Sequence, residues 1–536
     1  MKKILAWFLF ATSVALTHTF SAFATNGQGT FYLHINTDPT TLNPITSTDG
    51  YASDVQSYVF DSLLNRDENT YSWIAGLAEK WDISKDGKVF TFTLRDGVKW
   101  HDGKPLTIED VKYSFDVFFE GRFKAPHMMS YLQGIKEVKI IDPKTVQFIT
   151  KETYFKNFDI AAGIPIIPKH FYGEGDAANP KFNKELVGTG PYMLTEWTKG
   201  QRIVLKKNPQ YWGANAPYYK DRYHFARLFF RPVKEEAVAL ELLKKGDIDF
   251  LGLTPEQYMQ KTKGSEWGTK VIAVKTENSS PANYSYGFVG WNGKHPFFKD
   301  KEVRTAMSHL INRDFMINKF LFGLVEKAVG PFGNKSPSTS AKVKPIAYDP
   351  KKALALLQKQ GWKLGAQGLV KNIDGKETPF EFTLLSANPD YEKYFTVIKE
   401  DMKKVGITMN IKILEWNSFV KLLDERKFDA VNLAWSVPIE QDPKQLFHSE
   451  SIPGPGHNFV SYNNPQVDKL IEEYRGTMDV AKRRKLSHRI HEHIAEDQPY
   501  SFLFNRKFSL YAHTARVKKK RPTLKYGIGI STWRVD

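Results

Sequence analysis

Cysteine is absent from this chain. Its absence excludes a disulfide framework, a thiolate nucleophile and a lipid-bearing cysteine behind a leader. Long apolar runs are scarce too: beyond the N-terminal Ile4 to Leu16 stretch, nothing approaches the roughly 18 uninterrupted apolar residues of a membrane helix. The chain has no G-x-S-x-G, no S-x-x-K with its partner motifs and no H-E-x-x-H, so serine-hydrolase and zinc-protease chemistry lack their signatures. Internal repeats and low-complexity linkers are missing as well. What remains is a chain of ordinary globular composition, 41% hydrophobic and 25% charged over 536 residues, long enough for several domains.

Its first residues read as a secretory signal peptide. Lys2 and Lys3 precede the apolar run, and Ala22-Phe23-Ala24 forms an A-x-A site before Thr25. The expectation is cleavage after Ala24 and a soluble, untethered periplasmic product. The formal charge of +17 stays strongly basic without the two leader lysines. Lys518 to Arg521 is a run of consecutive basic residues, and no recognition fold accompanies it, so nucleic-acid binding is not expected.

The best-specified stretch runs from Leu77 to Asp116. Phe90, Phe92 and Leu94 alternate with Thr91 and Thr93, the period of a strand with one buried face. Asp86-Gly87 and Asp96-Gly97 bound it with turn dipeptides, and a second strand is expected over Val98 to Trp100. Thr107 is placed to cap a helix whose Val111, Phe115, Phe118 and Phe119 share one face. The sequences LAEKW, F-x-L-R-D-G-V-K-W-x-D-G and T-x-E-D-V-x-Y-S-F in this stretch resemble the large periplasmic solute-binding proteins of peptide-type ABC importers, family 5 of the extracellular solute-binding proteins. The later G-T-G-P-Y (188 to 192) and N-P-x-Y-W (208 to 212) elements match the same family.

Elsewhere the pattern is α/β. Thr30 onward reads as a first strand leaving through a loop marked by Pro39 and Pro44, and Asp54 as the cap of a helix to Leu64. Asp142-Pro143 turns one strand pair, and Gly200 separates another. The glycines of GTGP are followed by no Lys-Ser or Lys-Thr and open no helix, so they read as a chain crossover rather than a phosphate loop. A strand over Tyr223 to Arg231, a helix to Lys245 and a strand near Phe250 make a βαβ unit. Farther on, Asp349-Pro350, Asn464-Pro465 and Asp479 open helices. Strands are expected over Phe380 to Leu384, Ile407 to Ile413, Phe428 to Trp435 and from Tyr500, with Trp416 and Asn417 leading into a helix over Phe419 to Glu425.

The resemblance implies a mixed α/β, two-lobed periplasmic-binding-protein fold, type II-like in its large three-domain form. On that basis 25–62, 190–285 and 500–536 form domain I, 63–189 an accessory domain II, and 286–499 a distal domain III. Crossings between lobes are expected at Ser279 to Tyr286 and Gln498 to Phe502.

Trp416 and Trp435 are the first site candidates, each near the end of a distal strand, where the loops of an α/β sheet line a crevice. From the residues alone, ligand contact and core filling are equally good readings. In oligopeptide-binding relatives, E-W-x-x-F followed by F-D and a second Trp puts both indoles in the ligand pocket. Glu415-Trp416-Asn417-Ser418-Phe419 and Phe428-Asp429 to Trp435 repeat that pattern. Such relatives commonly hold the peptide ammonium with an Asp three residues after the second Trp, where this chain has Pro438. Glu440 or Asp442 is the expected substitute, Asp442 favoured because Pro443 restrains the backbone beside it.

The cluster His488, His491 and His493 reads as a solvated helix face rather than a metal site. No catalytic residue, metal or cofactor is expected. The implied function is binding of a peptide and its delivery to a membrane permease by a monomer that closes about a hinge. An oligosaccharide or a nickel complex is the alternative ligand; a periplasmic chaperone or an exported enzyme is the rival of another class.

Overall fold

Alternation of apolar residues, with turn dipeptides at the ends, sets the strands of the three largest sheets in a computed structural model that describes residues 29–47, 50–123, 125–277, 285–366, 368–453, 457–519 and 527–536. The leader, most of the Ser279 to Tyr286 crossing, and Lys520 and Arg521 of the basic run lie outside the described residues.

The accessory sheet orders Ala78–Ile83, Val89–Leu94, Thr145–Thr150 and Ile135–Asp142, all antiparallel. Phe90, Phe92 and Leu94 are buried, and Phe90 and Phe92 stand opposite Phe148 and Val146. That burial is the alternation in the sequence expressed as one packed face. Val98 to Trp100 does not form a strand. Trp100 is buried instead, its indole 3.4 Å from Asp110, and its backbone N–H closes a turn onto Lys104. Helix Ile108–Asp116 follows, with Thr107 N–H donating to Asp110 Oδ2 at 2.9 Å. It ends before Phe118 and Phe119.

The proximal sheet has seven strands, in the order Val271–Thr276, Ser509–Thr514, Phe250–Gly252, Thr30–Ile35, Arg227–Pro232, Arg202–Lys207 and Tyr192–Thr198. Thr30–Ile35 pairs in parallel with both Arg227–Pro232 and Phe250–Gly252. Helix Glu236–Lys245 connects those two, the expected βαβ unit with the first strand lying between its arms. The early helix is Gly50–Gln56, so Asp54 lies inside it rather than capping it. It stops there because the backbone of Tyr58 and Val59 is taken up by Tyr192 and Gly190.

The distal sheet has six strands, in the order Val325–Lys327, Tyr500–Arg506, Tyr286–Trp291, Ala430–Trp435, Glu381–Ser386 and Thr408–Ile413. Helices Lys301–His309, Pro350–Lys359, Glu392–Lys403, Pro465–Gly476 and Val480–Asp497 accompany it. Asp349, Asn464 and Asp479 cap theirs as expected, each side chain accepting from a backbone N–H two or three residues on.

Tyr500–Arg506 corrects one assignment. It pairs with Tyr286–Trp291 in the distal sheet and not with the proximal lobe. The return crossing therefore lies at 507–508, and not near Gln498 to Phe502.

Strand direction places the cleft. In the distal sheet, Glu381–Ser386, Thr408–Ile413 and Ala430–Trp435 are parallel, and Tyr286 at the start of its antiparallel strand pairs with Trp435. In the proximal sheet Ile35, Pro232, Gly252 and Thr276 all end on one edge, from which the chain leaves and to which Ser509 returns. Each sheet thus turns the carboxyl ends of its parallel strands toward the crossings, the position where open α/β sheets bind ligands.

Candidate functional site

Trp435 is the last residue of its strand and stands opposite Tyr286. Its half-buried ring faces Phe459 at 5.8 Å and Phe288 at 6.3 Å, with His457 at 5.6 Å. Phe288 stacks on Tyr500 at 3.9 Å, so the indole is the outermost member of an aromatic column rooted in the core. Such a ring offers a flat apolar wall with one open side.

Trp416 is placed differently. It is the first residue of helix Trp416–Asp424, which starts three residues before the expected Phe419. It is 56% exposed, and its ring leans on buried Phe419 at 6.0 Å. The two indoles share a sheet edge and a supporting cluster.

The acids are engaged by the protein itself. Glu440 Oε1 lies 3.3 Å from the Arg483 guanidinium. Asp442 Oδ2 accepts from Arg475 Nε at 3.0 Å and from the Tyr154 hydroxyl at 2.5 Å, while its Oδ1 accepts from Lys444 N–H at 3.0 Å. Burial, with the Asp442 charge beside it, raises the Tyr154 hydroxyl far above its ordinary pKa, which keeps it a donor. Asp442, the favoured candidate for a ligand ammonium, is thus held by three groups of the protein itself. Its charge is already matched, and its partners come from helix Pro465–Gly476 and from the accessory unit.

That contact is part of a seam between accessory unit and distal lobe. Phe155 is 4% exposed, packed on Tyr474 at 5.1 Å and under the Arg483 guanidinium at 4.4 Å; Arg475 lies over the Tyr154 ring at 4.3 Å. Tyr154, Arg475 and Arg483 were beyond sequence reasoning, because an isolated aromatic pair and two helix arginines carry no periodic signal. Beside the seam lies a cavity of about 290 Å³, whose wall includes Arg66 and Tyr71 from one side and Glu440, Tyr474, Arg483 and Arg484 from the other.

The GTGP crossover is a knot rather than an anion loop. Gly190 N–H donates to Val59 O at 2.9 Å, and Thr189 Oγ1 donates to Asp61 Oδ2 at 2.9 Å. His101 Nδ1 accepts from Gly188 N–H at 3.3 Å, so its Nε2 carries the proton toward Gly190 O at 3.0 Å. Burial lowers the His101 pKa to about 4 and raises that of Asp61 to about 6, the latter against hydrogen bonds from Trp212 and Thr189.

The His488, His491 and His493 cluster does not converge. Against expectation, His491 is fully buried, accepting from Ser340 N–H at 2.9 Å with Nε2 3.2 Å from Val329 O. Among the described residues, the side chains grouped like metal ligands are His448, Glu450 and Glu472. Lys444 Nζ sits 3.0 Å from Glu450 and 2.7 Å from Glu472, so the chain supplies the cation there.

Comparison with known proteins agrees with this architecture. Residues 72–452 match the family described as bacterial extracellular solute-binding proteins, family 5 Middle. The chain is 30% identical over 520 residues to the oligopeptide-binding protein AppA of Bacillus subtilis, spanning 94% of this chain and 91% of that one. It is 27% identical over 479 residues to the dipeptide-binding protein of Escherichia coli, spanning 84% of each. The solved structure of Bacillus subtilis AppA with a nonapeptide superposes with a TM-score of 0.78 at 28% identity, covering 95% of this chain and 99% of that one. NikZ of Campylobacter jejuni in complex with Ni(L-His) gives 0.77 at 25% identity, with the same coverage.

Proposed function

Because the chain belongs to the family 5 bacterial extracellular solute-binding proteins, we propose that it binds peptides outside the cytoplasmic membrane and delivers them to the permease of an ABC importer. The observation that carries this reading is the opposed placement of the two sheets, each turning its strand carboxyl ends toward the two crossings, with Trp435 at the distal mouth. A ligand contacting both lobes favours the closed form because only there does it make both sets of contacts. Trp435 and Trp416 supply apolar walls, and backbone groups of the cleft hold the extended main chain. The protein works as a monomer without a cofactor, in the periplasm after removal of residues 1–24.

The domain division that accompanies this reading assigns the accessory sheet to a unit of its own, with 286–506 as the distal lobe. A metal complex is the second reading, favoured by the likeness to NikZ bound to Ni(L-His).

Native mass spectrometry of protein purified from its own periplasm, followed by release and sequencing of whatever it carries, tests the proposal. Bound peptides are expected. A released oligosaccharide or metal chelate would replace the peptide reading, and turnover of any added peptide would contradict the transport role.

A further inference from the structure

We propose that the seam cavity is a carboxylate-binding subsite, which takes the terminal carboxylate or an acidic side chain of a bound peptide; this rests on the peptide reading above. Three arginines, Arg66, Arg483 and Arg484, line the cavity of about 290 Å³, against one acidic residue, Glu440.

Two of those arginines are already matched. Arg66 pairs with Asp159 at 2.9 Å, donates to Tyr71 O and lies over the Trp73 ring at 3.7 Å. Arg483 pairs with Glu440 at 3.3 Å and donates to the carbonyls of Thr477 and Met478. Arg484 is exposed at the rim, and its side chain has no partner among the described residues. The wall therefore carries one unmatched positive charge. Ser72, also in the wall, adds a neutral side chain, whereas Thr70 Oγ1 already donates to Asp67. A planar guanidinium with free N–H groups recognises a carboxylate through two parallel hydrogen bonds.

The cavity is within reach of the indole wall. Trp435 and Glu440 are five residues apart, so their Cα atoms are separated by at most about 18 Å, the span of five or six extended peptide residues. A short peptide lying against Trp435 can thus place a carboxylate in the seam. Wall residues come from both the accessory unit and the distal lobe, so an occupant there also bridges the two.

The test is a depletion experiment with equimolar synthetic hexapeptide to nonapeptide libraries of random sequence. Each is made as free acid and as C-terminal amide, with and without one glutamate, and the retained species are read by mass spectrometry. The wild type is expected to enrich carboxylate-bearing peptides over glutamate-free amides by about tenfold or more. Arg484→Gln should lose most of that preference, and Arg484→Glu should reverse it. Arg484 is exposed, so both variants are expected to fold, which thermal denaturation checks. Enrichment of free acids identifies the terminal carboxylate, and enrichment of glutamate-containing amides identifies a side chain; either supports the subsite. Retention of peptides by all three proteins with acids and amides equal would overturn the subsite and leave the peptide reading standing. No retention by the wild type would overturn the peptide reading and the subsite with it.

Discussion

The Tyr154 hydroxyl donates to Asp442 Oδ2 at 2.5 Å, joining two residues 288 positions apart that belong to the accessory unit and the distal lobe. Arg475 holds the same oxygen at 3.0 Å and covers the Tyr154 ring. Phe155, the next residue, is buried among distal side chains. The contact has an apolar anchor and a charge-assisted clasp.

Loosening the clasp should therefore shift the protein toward its open form. Tyr154→Phe removes one hydrogen bond to a charged group, an effect of about 1.5 to 3 kcal/mol. Asp442→Asn weakens the partly buried pair with Arg475 by a similar amount. Small-angle scattering of the ligand-free variants should give a larger radius of gyration than the wild type. N-acetylated and free-amine peptides should bind the wild type alike, since Asp442 is already engaged. A tenfold preference for the free amine would contradict this and make Asp442 or Glu440 the ammonium partner.

The two indoles should separate recognition from stability. Trp416 is half-exposed, so Trp416→Ala is expected to change unfolding free energy by no more than about 0.5 kcal/mol while weakening ligand binding. Trp435→Ala removes a ring from the Phe288 and Phe459 column and should cost about 3 kcal/mol as well as affinity. Denaturant unfolding beside calorimetric titration distinguishes them. Equal effects of both substitutions on stability would contradict this placement.

Acid should destabilise the fold through His101 and His491. Burial lowers both to about 4 from the ordinary 6.5. The folded state thus binds fewer protons than the unfolded chain. Stability is complete above pH 6.5 and is lost as pH falls toward 4, by up to about 3 kcal/mol for each histidine. Asp61 acts in the opposite direction. Its pKa is raised from 3.8 to about 6, so its contribution is greatest below pH 3.8 and declines as pH rises through 6. Asp61→Asn should therefore raise stability at pH 7 by up to about 3 kcal/mol and steepen the acid limb. Unfolding midpoints measured from pH 4 to 8 check both signs, and a lower midpoint for Asp61→Asn at pH 7 would contradict the assignment.

Two glycines should respond very differently to an added methyl group. At Gly188 a Cβ would sit 1.9 Å from Val59 O, a backbone atom with nowhere to go. Gly188→Ala is expected to abolish soluble expression or to cost more than about 4 kcal/mol. Gly200, at φ +76° with open space around it, should lose only about 1 kcal/mol as alanine. Expression yield and denaturant midpoints of the pair decide the point.

Local patterns in the chain were enough for what local physics controls. The alternation of Phe90, Phe92 and Leu94, the caps at Thr107, Asp349, Asn464 and Asp479, and the parallel strand ending in Trp435 all appear where residue spacing and turn chemistry place them. The long family resemblance supplied the lobed architecture, because it summarises packing that periodicity does not encode. Tertiary structure alone decided the rest. Trp100 became a core plug rather than a strand residue because Asp110 and Lys104 were within reach. Tyr500–Arg506 joined the distal sheet because the edge of Tyr286–Trp291 was open to it, and a strand's own residues do not name its partner. Glu440 and Asp442 read in the sequence as candidate ammonium partners, and in the fold each pairs with an arginine. Their partners Arg483, Arg475 and Tyr154 lie 43, 33 and 288 residues away, and charges are matched by distance in space, which the order of residues along a chain does not record.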